Sequence, residues 1–205
     1  MRLTIDRLSK PIGTLLLVSD DDGRVRALDF DDCEARMLRL LKAHYGDPTF
    51  APGPAPASAR RALDAYFEGD LTAIDDVQVA TGGTPFQRTV WAALRRILAG
   101  RTTSYAALAA TIGRPSAMRA VGLANGSNPV AIIVPCHRVI GTDHSLAGYA
   151  GGLPRKRWLL EHEGIELSGS RVAAQHHLRF ATLPEGRGDV ALLQRGRTWV
   201  IFIGR

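Results

Sequence analysis

Cys136 and His137 stand side by side in Ile132-Ile133-Val134-Pro135-Cys136-His137-Arg138-Val139-Ile140-Gly141, directly after an apolar run. A free thiol has a pKa near 8.5, so it is mostly protonated at neutral pH. Burial raises it further. To act as a nucleophile it needs a base or a positive charge beside it. Histidine can be that base when a carboxylate orients it, and Glu161 and Glu163 follow on a helical stretch. Adjacent residues of a strand point to opposite faces. A Cys136–His137 relay therefore demands a break in the strand at Pro135–Cys136, or a bridging water. The pattern leaves two readings open: a catalytic Cys-His-Glu set, or an inert buried thiol beside a surface histidine. Cys33 has no cysteine partner and no metal-like Cys/His spacing around it, so it reads as helix packing.

The elements that must position these residues can be read along the chain. "PIGTLLLVSDDDGRVRALDF" predicts a hairpin in which Gly23 supplies φ > 0 at the turn. Residues 33–45 and 58–68 have helical spacing, and the Pro/Ala/Gly-rich stretch 47–58 between them predicts a loop. Thr81-Gly82-Gly83-Thr84 reads as a linker. Thr84 then caps a helix with Pro85 in its first turn, carried by Phe86, Val90, Leu94 and Ile97 and stopped by Gly100. Residues 103–113 and 116–126, the second capped by Ser116, predict two short helices spaced like a helix-turn-helix. "VAIIVP" predicts a buried strand, 148–152 a Gly-rich loop, and "PRKRWLLEHEG" a last helix. "DVALLQRGRTWVIFIGR" could pair as a hairpin across Arg195-Gly196-Arg197.

Composition narrows the class of partner. Of 205 residues, 45% are hydrophobic and 22% charged, the profile of an ordinary globular protein. No apolar run approaches the roughly 20 residues of a membrane span, and the N-terminus has no secretory h-region. A cytoplasmic protein is expected. The net charge of +6 is unevenly spread. Residues 1–80 hold 10 basic and 14 acidic side chains, and residues 81–205 hold 16 and 6. Only the second half is suited to a polyanion.

The motifs are more specific. "PCHRVIG" resembles the active-site signature of the O6-alkylguanine-DNA alkyltransferases. The likeness continues in order through "TPFQRTVWAAL", "TTSYAALAATIGRP", "AMRAVGLANGSNPVAIIVPCHRVIG" and "LAGYAGGLPRKRWLLEHEG". Residues 84–164 resemble the family strongly, and 1–80 more loosely. The resemblance implies an α+β protein of two domains. Residues 1–80 would form a ribonuclease H-like small sheet with helices. Residues 84–165 would form a mostly helical DNA-binding and alkyl-transfer domain with a winged-helix-like helix-turn-helix. Residues 166–205 are an extension of unassigned role.

The resemblance also implies single-use chemistry. An alkyl group passes from O6 of guanine in duplex DNA to Cys136, irreversibly and without metal or organic cofactor; O4-alkylthymine stays open as a second substrate. His137 would be the water-linked base, oriented by Glu163. Tyr105 would push the 3′ phosphate and protonate the departing guanine. Because the lesion lies inside the stack, the nucleotide must be flipped out. The helix at 116–126 would enter the minor groove with Ser116, Ala117, Ala120 and Gly122, and Arg119 would fill the gap left by the base. Asn128 would be the hinge before Pro129. Val139, Tyr149, Ala150, Gly151 and Trp158 would line the base pocket, with Gly151 and Gly152 admitting close approach. Alanine at 150, where some members carry serine, removes a hydroxyl contact, and Met118 is larger than is common beside the finger. Arg155, Lys156 and Arg157 would serve phosphates or the pocket rim, or simply face solvent. The expected partner is double-stranded alkylated DNA, met by a protein monomeric when free, with cooperative assembly left open and no membrane role. A non-catalytic lesion-binding protein, a helix-turn-helix regulator and a cysteine hydrolase are the alternatives.

Overall fold

The computed structural model describes residues 1–173 and, beyond them, the backbone of 190–195 and 198–203. Strands β1 (Arg2–Lys10), β2 (Gly13–Ser19), β3 (Val25–Phe30) and β4 (Thr49–Pro52) form one sheet in the order β3-β2-β1-β4. β1, β2 and β3 are antiparallel neighbours, with Lys10 opposite Gly13 and Leu15 opposite Phe30. The β2–β3 turn is the expected one. Gly23 has φ 76°, and Asp20 Oδ1 accepts from the backbone N–H groups of Asp22 and Arg24.

β4 corrects the reading of 47–58 as loop throughout. It pairs parallel with β1, Arg2 opposite Thr49 and Ile5 opposite Pro52. It is an edge strand, and an edge tolerates the N–H that Pro52 lacks. β1 had no counterpart in the sequence reading at all.

The sheet is buried on both faces, because alternate side chains of β2 go to different cores. Leu16 and Val18 join Met37 and Leu41 of α1 (Glu34–Tyr45), which are one helical turn apart. Leu15 and Leu17 join Leu63 and Tyr66 of α2 (Ala57–Phe67). This second core does not stop at the linker. It runs on through Val90, Trp91, Val121, Val130 and Cys136, so the two halves share one hydrophobic interior.

α3 (Pro85–Leu94) opens on Thr84 with a capping box: Thr84 Oγ1 accepts from Gln87 N, and Gln87 Oε1 accepts from Thr84 N. It ends at Leu94, before the expected stop at Gly100. The backbone tightens to i→i+3 bonds at Arg96 and Ile97, while the Arg95 side chain bonds the carbonyls of Asp75 and Val77. Ile97 is buried all the same.

α4 (Tyr105–Thr111) is capped by Ser104, and α5 (Met118–Gly126) follows a 3-10 turn at Pro115–Ala117. Together they form the helix-turn-helix. Ser116 makes no capping bond; it lies inside that 3-10 turn. α6 (Leu153–His162) buries Leu159 and Leu160, each contributing about 1.5–3 kcal/mol. β5 (Thr103–Ser104) pairs with β6 (Val139–Ile140), and β7 (Leu167–Ser168) with β8 (Arg171–Val172). β9 (Val190–Arg195) and β10 (Thr198–Ile203) pair antiparallel, Arg195 opposite Thr198, as the sequence suggested. No helix among the described residues is long and apolar enough to cross a membrane.

Candidate active site

The apolar run before Cys136 is not a strand. It is a buried turn from Asn128 to Pro135, docked on β3 by Leu28 N–H to Pro129 O and Ala131 N–H to Leu28 O. Val134 N–H closes back on Val130 O at 3.0 Å, and Ile132 sits at φ 69°. A β-branched residue in that region is strained by about 1–3 kcal/mol. The surroundings hold it there, since Val130, Ile132, Ile133 and Val134 are all buried. Asn128 is the inner clamp. Its Oδ1 accepts from Val130 N at 3.0 Å, and its Nδ2 donates to Val134 O at 2.8 Å.

Leaving that turn, the chain enters a 3-10 turn at Cys136–Arg138, so Cys136 and His137 are not successive residues of an extended strand. Cys136, 6% exposed, lines a cavity, while fully buried His137 reaches Glu163. β6 follows at once. Its pairing sets Ser104 against Ile140, which carries Tyr105, the next residue, to the same cavity.

Glu163 closes the end of α6. Its Oε1 lies 2.9 Å from His137 Nε2, and Arg138 binds both its oxygens. Burial alone would raise this carboxyl, but His137 and Arg138 outweigh it and hold it at about 2. An ionised carboxylate only accepts, so His137 Nε2 carries the hydrogen and Nδ1 keeps its lone pair. Nδ1 is buried and makes no hydrogen bond within the described residues. Burial, with the charges of Arg138 and Lys156, moves the imidazole below its usual range against the pull of Glu163, so the ring rests neutral. Burial likewise raises the Cys136 thiol, opposed by Asn128, Lys156 and Arg36. The resting pair is a neutral thiol and a neutral imidazole with a free lone pair. Glu163 is placed to stabilise the imidazolium once a proton moves.

The cavity is about 240 Å3, below the roughly 300–1,000 Å3 of pockets for drug-sized ligands. It is lined by Tyr105, Cys136, Gly148, Tyr149 and Ala150 together with Gly122, Asn125 and Gly126 of α5. The Tyr105 hydroxyl is pushed up by burial and by Cys136, with Asn125 pulling it back. Ser116, Arg119 and Ala120 are exposed on and just before α5, with Ala117 and Gly122 partly buried.

Three expected pocket residues do not border this cavity. Val139 is buried, with its carbonyl accepting from Lys156 Nζ at 2.6 Å. Gly151 is buried against Phe30, where a Cβ would meet the ring at 2.5 Å, so its missing side chain serves the contact with β3. Trp158 stacks on His162 at 4.8 Å and packs beside Phe67.

The basic run after the loop is also spoken for. Arg155 binds Asp32 and the Ile12 carbonyl and lies 4.0 Å over the Phe30 ring. Lys156 is buried on the carbonyls of Val139 and Ala147, its ammonium lowered to about 8 by desolvation. Arg157 bonds Glu161 and the Gly169 carbonyl.

Sequence reasoning missed Arg138, Tyr66 and Arg36. Arg138 stands inside the quoted motif, and its place between His137 and an apolar pair was the available signal. Tyr66 donates to Glu163 from α2. Arg36 bridges Asp29 to the carbonyls of Gly126 and Asn128, tying α1 to the end of α5. Cys33, read as packing, sits 3.5 Å from the Ala150 carbonyl. Among the described residues no group of three or more His, Cys, Asp or Glu is placed to hold a metal ion.

Fold and site define a two-domain protein that presents one histidine-backed, buried cysteine to a small cavity beside a helix-turn-helix. Residues 7–81 match the ribonuclease-like domain of 6-O-methylguanine DNA methyltransferase, and residues 85–165 match its DNA binding domain. The methylated-DNA–protein-cysteine methyltransferase of Salmonella typhimurium is 49% identical over 169 residues, covering 82% of this chain and 99% of that protein. That of Methanosarcina acetivorans is 46% identical over 154 residues, 75% of this chain and 94% of its own. The crystal structure of Mycobacterium tuberculosis OGT in complex with DNA superposes with a TM-score of 0.66 at 43% identity, covering 80% of this chain and 92% of that one. The chain belongs to the 6-O-methylguanine DNA methyltransferase family.

Proposed function

We propose that the protein repairs alkylated DNA by moving the alkyl group from O6 of a flipped guanine in duplex DNA to Cys136 Sγ, once per molecule. The observation that carries this is Cys136 on the wall of a small cavity, with the His137–Glu163 pair behind it. The thiol proton passes through water to His137 Nδ1, and Glu163 stabilises the imidazolium. Sulfur then forms a bond to the alkyl carbon as the O6–carbon bond breaks. The departing guanine takes a proton from Tyr105, and His137 returns one in exchange, so protons balance. The product thioether has no leaving chemistry to restore the thiol, which limits each molecule to one event. α5 enters the minor groove with its small residues, and Arg119 occupies the space of the flipped base. The net positive second half supports DNA as the partner.

Incubation with duplex carrying radiolabelled O6-methylguanine moves label to the protein, at most one equivalent, and Cys136→Ala abolishes it. Equal transfer by the two proteins, or none by either, sinks this reading.

A further inference from the structure

The carboxylate of Glu163 has a partner from the other half of the chain. Tyr66, near the end of α2, is fully buried, and its hydroxyl donates to Glu163 Oε1 at 2.8 Å. The same oxygen accepts from His137 Nε2 at 2.9 Å and from Arg138 Nη2 at 2.8 Å. Phenol, imidazole and guanidinium thus meet on a single atom. The Tyr66 ring is held edge-on against Phe67 at 5.4 Å and His162 at 5.2 Å, and its carbonyl bonds His162 Nε2 at 2.7 Å. α2 is therefore tied to α6 at His162 through both the ring and the carbonyl of the residue that donates.

We propose that Tyr66 is a positioning residue of the alkyl-transfer relay: it holds Glu163 Oε1 in line with His137 and, by sharing that oxygen's charge, sets how tightly the histidine holds a proton. This rests on the reading of Cys136, His137 and Glu163 as the relay. Each hydrogen bond to a carboxylate disperses charge that would otherwise stabilise a neighbouring cation. The groups acting on the pair are Arg138 from the 3-10 turn, Lys156 from α6 and Tyr66 from α2, with His162 packed on the Tyr66 ring. Arg138 opposes protonation of His137, and so does the buried Lys156 ammonium while it is charged. Tyr66 is the uncharged member, so altering it tunes the carboxylate without changing the charge of the site.

The test is the pH dependence of single-turnover methyl transfer by the full chain on O6-methylguanine duplex, with Tyr66→Phe. Losing the hydroxyl leaves more carboxylate charge for His137, which then holds its proton more tightly. The acid limb moves to higher pH by about half a unit, slowing transfer about threefold on that limb. Affinity for undamaged duplex stays within about twofold, since α5 is untouched. Placing 3-fluorotyrosine at position 66, a stronger donor of nearly the same shape, moves the limb the opposite way. If Tyr66→Phe does not fold, as judged by circular dichroism, the fluorotyrosine protein decides alone. Limbs that coincide with wild type, or a uniform slowing with no shift, overturn the role of Tyr66 and leave the repair reading intact. A wild-type protein that takes up no label sinks the repair reading itself.

Discussion

Arg138 donates to both carboxylate oxygens of Glu163, from Nε to Oε2 at 2.9 Å and from Nη2 to Oε1 at 2.8 Å, and neither side chain reaches solvent. Arg138 Nη1 also bonds the Ile97 carbonyl. The pair is a structural tie, and its carboxylate is the electrostatic backing of His137, so loss of Glu163 has two readouts.

Glu163→Gln keeps the shape but leaves a buried guanidinium unpaired. Stability falls by about 3–5 kcal/mol, read as a lower denaturant midpoint. The imidazolium loses its counter-charge, and methyl transfer slows about 10²–10⁴-fold in single-turnover assays. Unchanged transfer would remove Glu163 from the relay.

Acid stability follows from the same carboxyl. Its folded pKa of about 2 lies below the ordinary 4.5, so the native state favours the ionised form. The contribution is fully present above about pH 4.5 and drains away as pH falls toward 2, on the order of 3 kcal/mol in all. Urea midpoints of wild type should fall across that window more than those of Glu163→Gln. Parallel decline in the two proteins would contradict the assignment.

Asn128→Ala removes the acceptor for Val130 N–H and the donor to Val134 O inside a buried turn. With about 1–3 kcal/mol per stranded buried group, stability drops by about 2–6 kcal/mol. Asn128→Asp recovers none of this, because its carboxylate accepts from Val130 but sets a buried negative charge against the Val134 carbonyl. Thermal melts and the rate of Cys136 alkylation check both variants, and Asp equal to Asn in both would refute the clamp.

DNA affinity should fall steeply with salt, with log K linear in log salt concentration. Arg119→Ala separates a finger from a phosphate contact. A finger variant loses alkyl transfer while the salt slope stays the same, whereas a lost phosphate contact reduces the slope by about one. Filter binding at several salt concentrations, paired with transfer rates, distinguishes them.

Elements specified by neighbouring residues were readable from sequence. Thr84 and Pro85 mark the start of α3, and Gly23 marks a turn. The run Val130–Val134 was misread as a strand because a continuous apolar stretch has no period to distinguish a strand from any other buried segment. Its actual shape depends on Asn128 and on the docking to Leu28, and neither is a property of the run itself. Thr49–Pro52 was misread because proline argues against strands in general but not against an edge. The family motifs pointed to Cys136, His137 and Glu163; His137 Nε2 lies 2.9 Å from Glu163, and Cys136 lines the cavity. Tyr66 left no local trace: it meets Glu163 across 97 positions of sequence, with no spacing rule to reveal it. Trp158 and Gly151 sit where the motif runs, but their faces are turned to Phe67 and Phe30.

The single interior that runs from Leu15 through Tyr66 to Cys136 has a consequence for how such a chain can be inherited. Tyr66, Phe30, Arg36 and Cys33 all touch the active-site region from the first half. The two halves are therefore poor candidates for independent shuffling. A first half exchanged for a distant counterpart would have to bring those contacts with it, and drift in either half constrains what the other can accept.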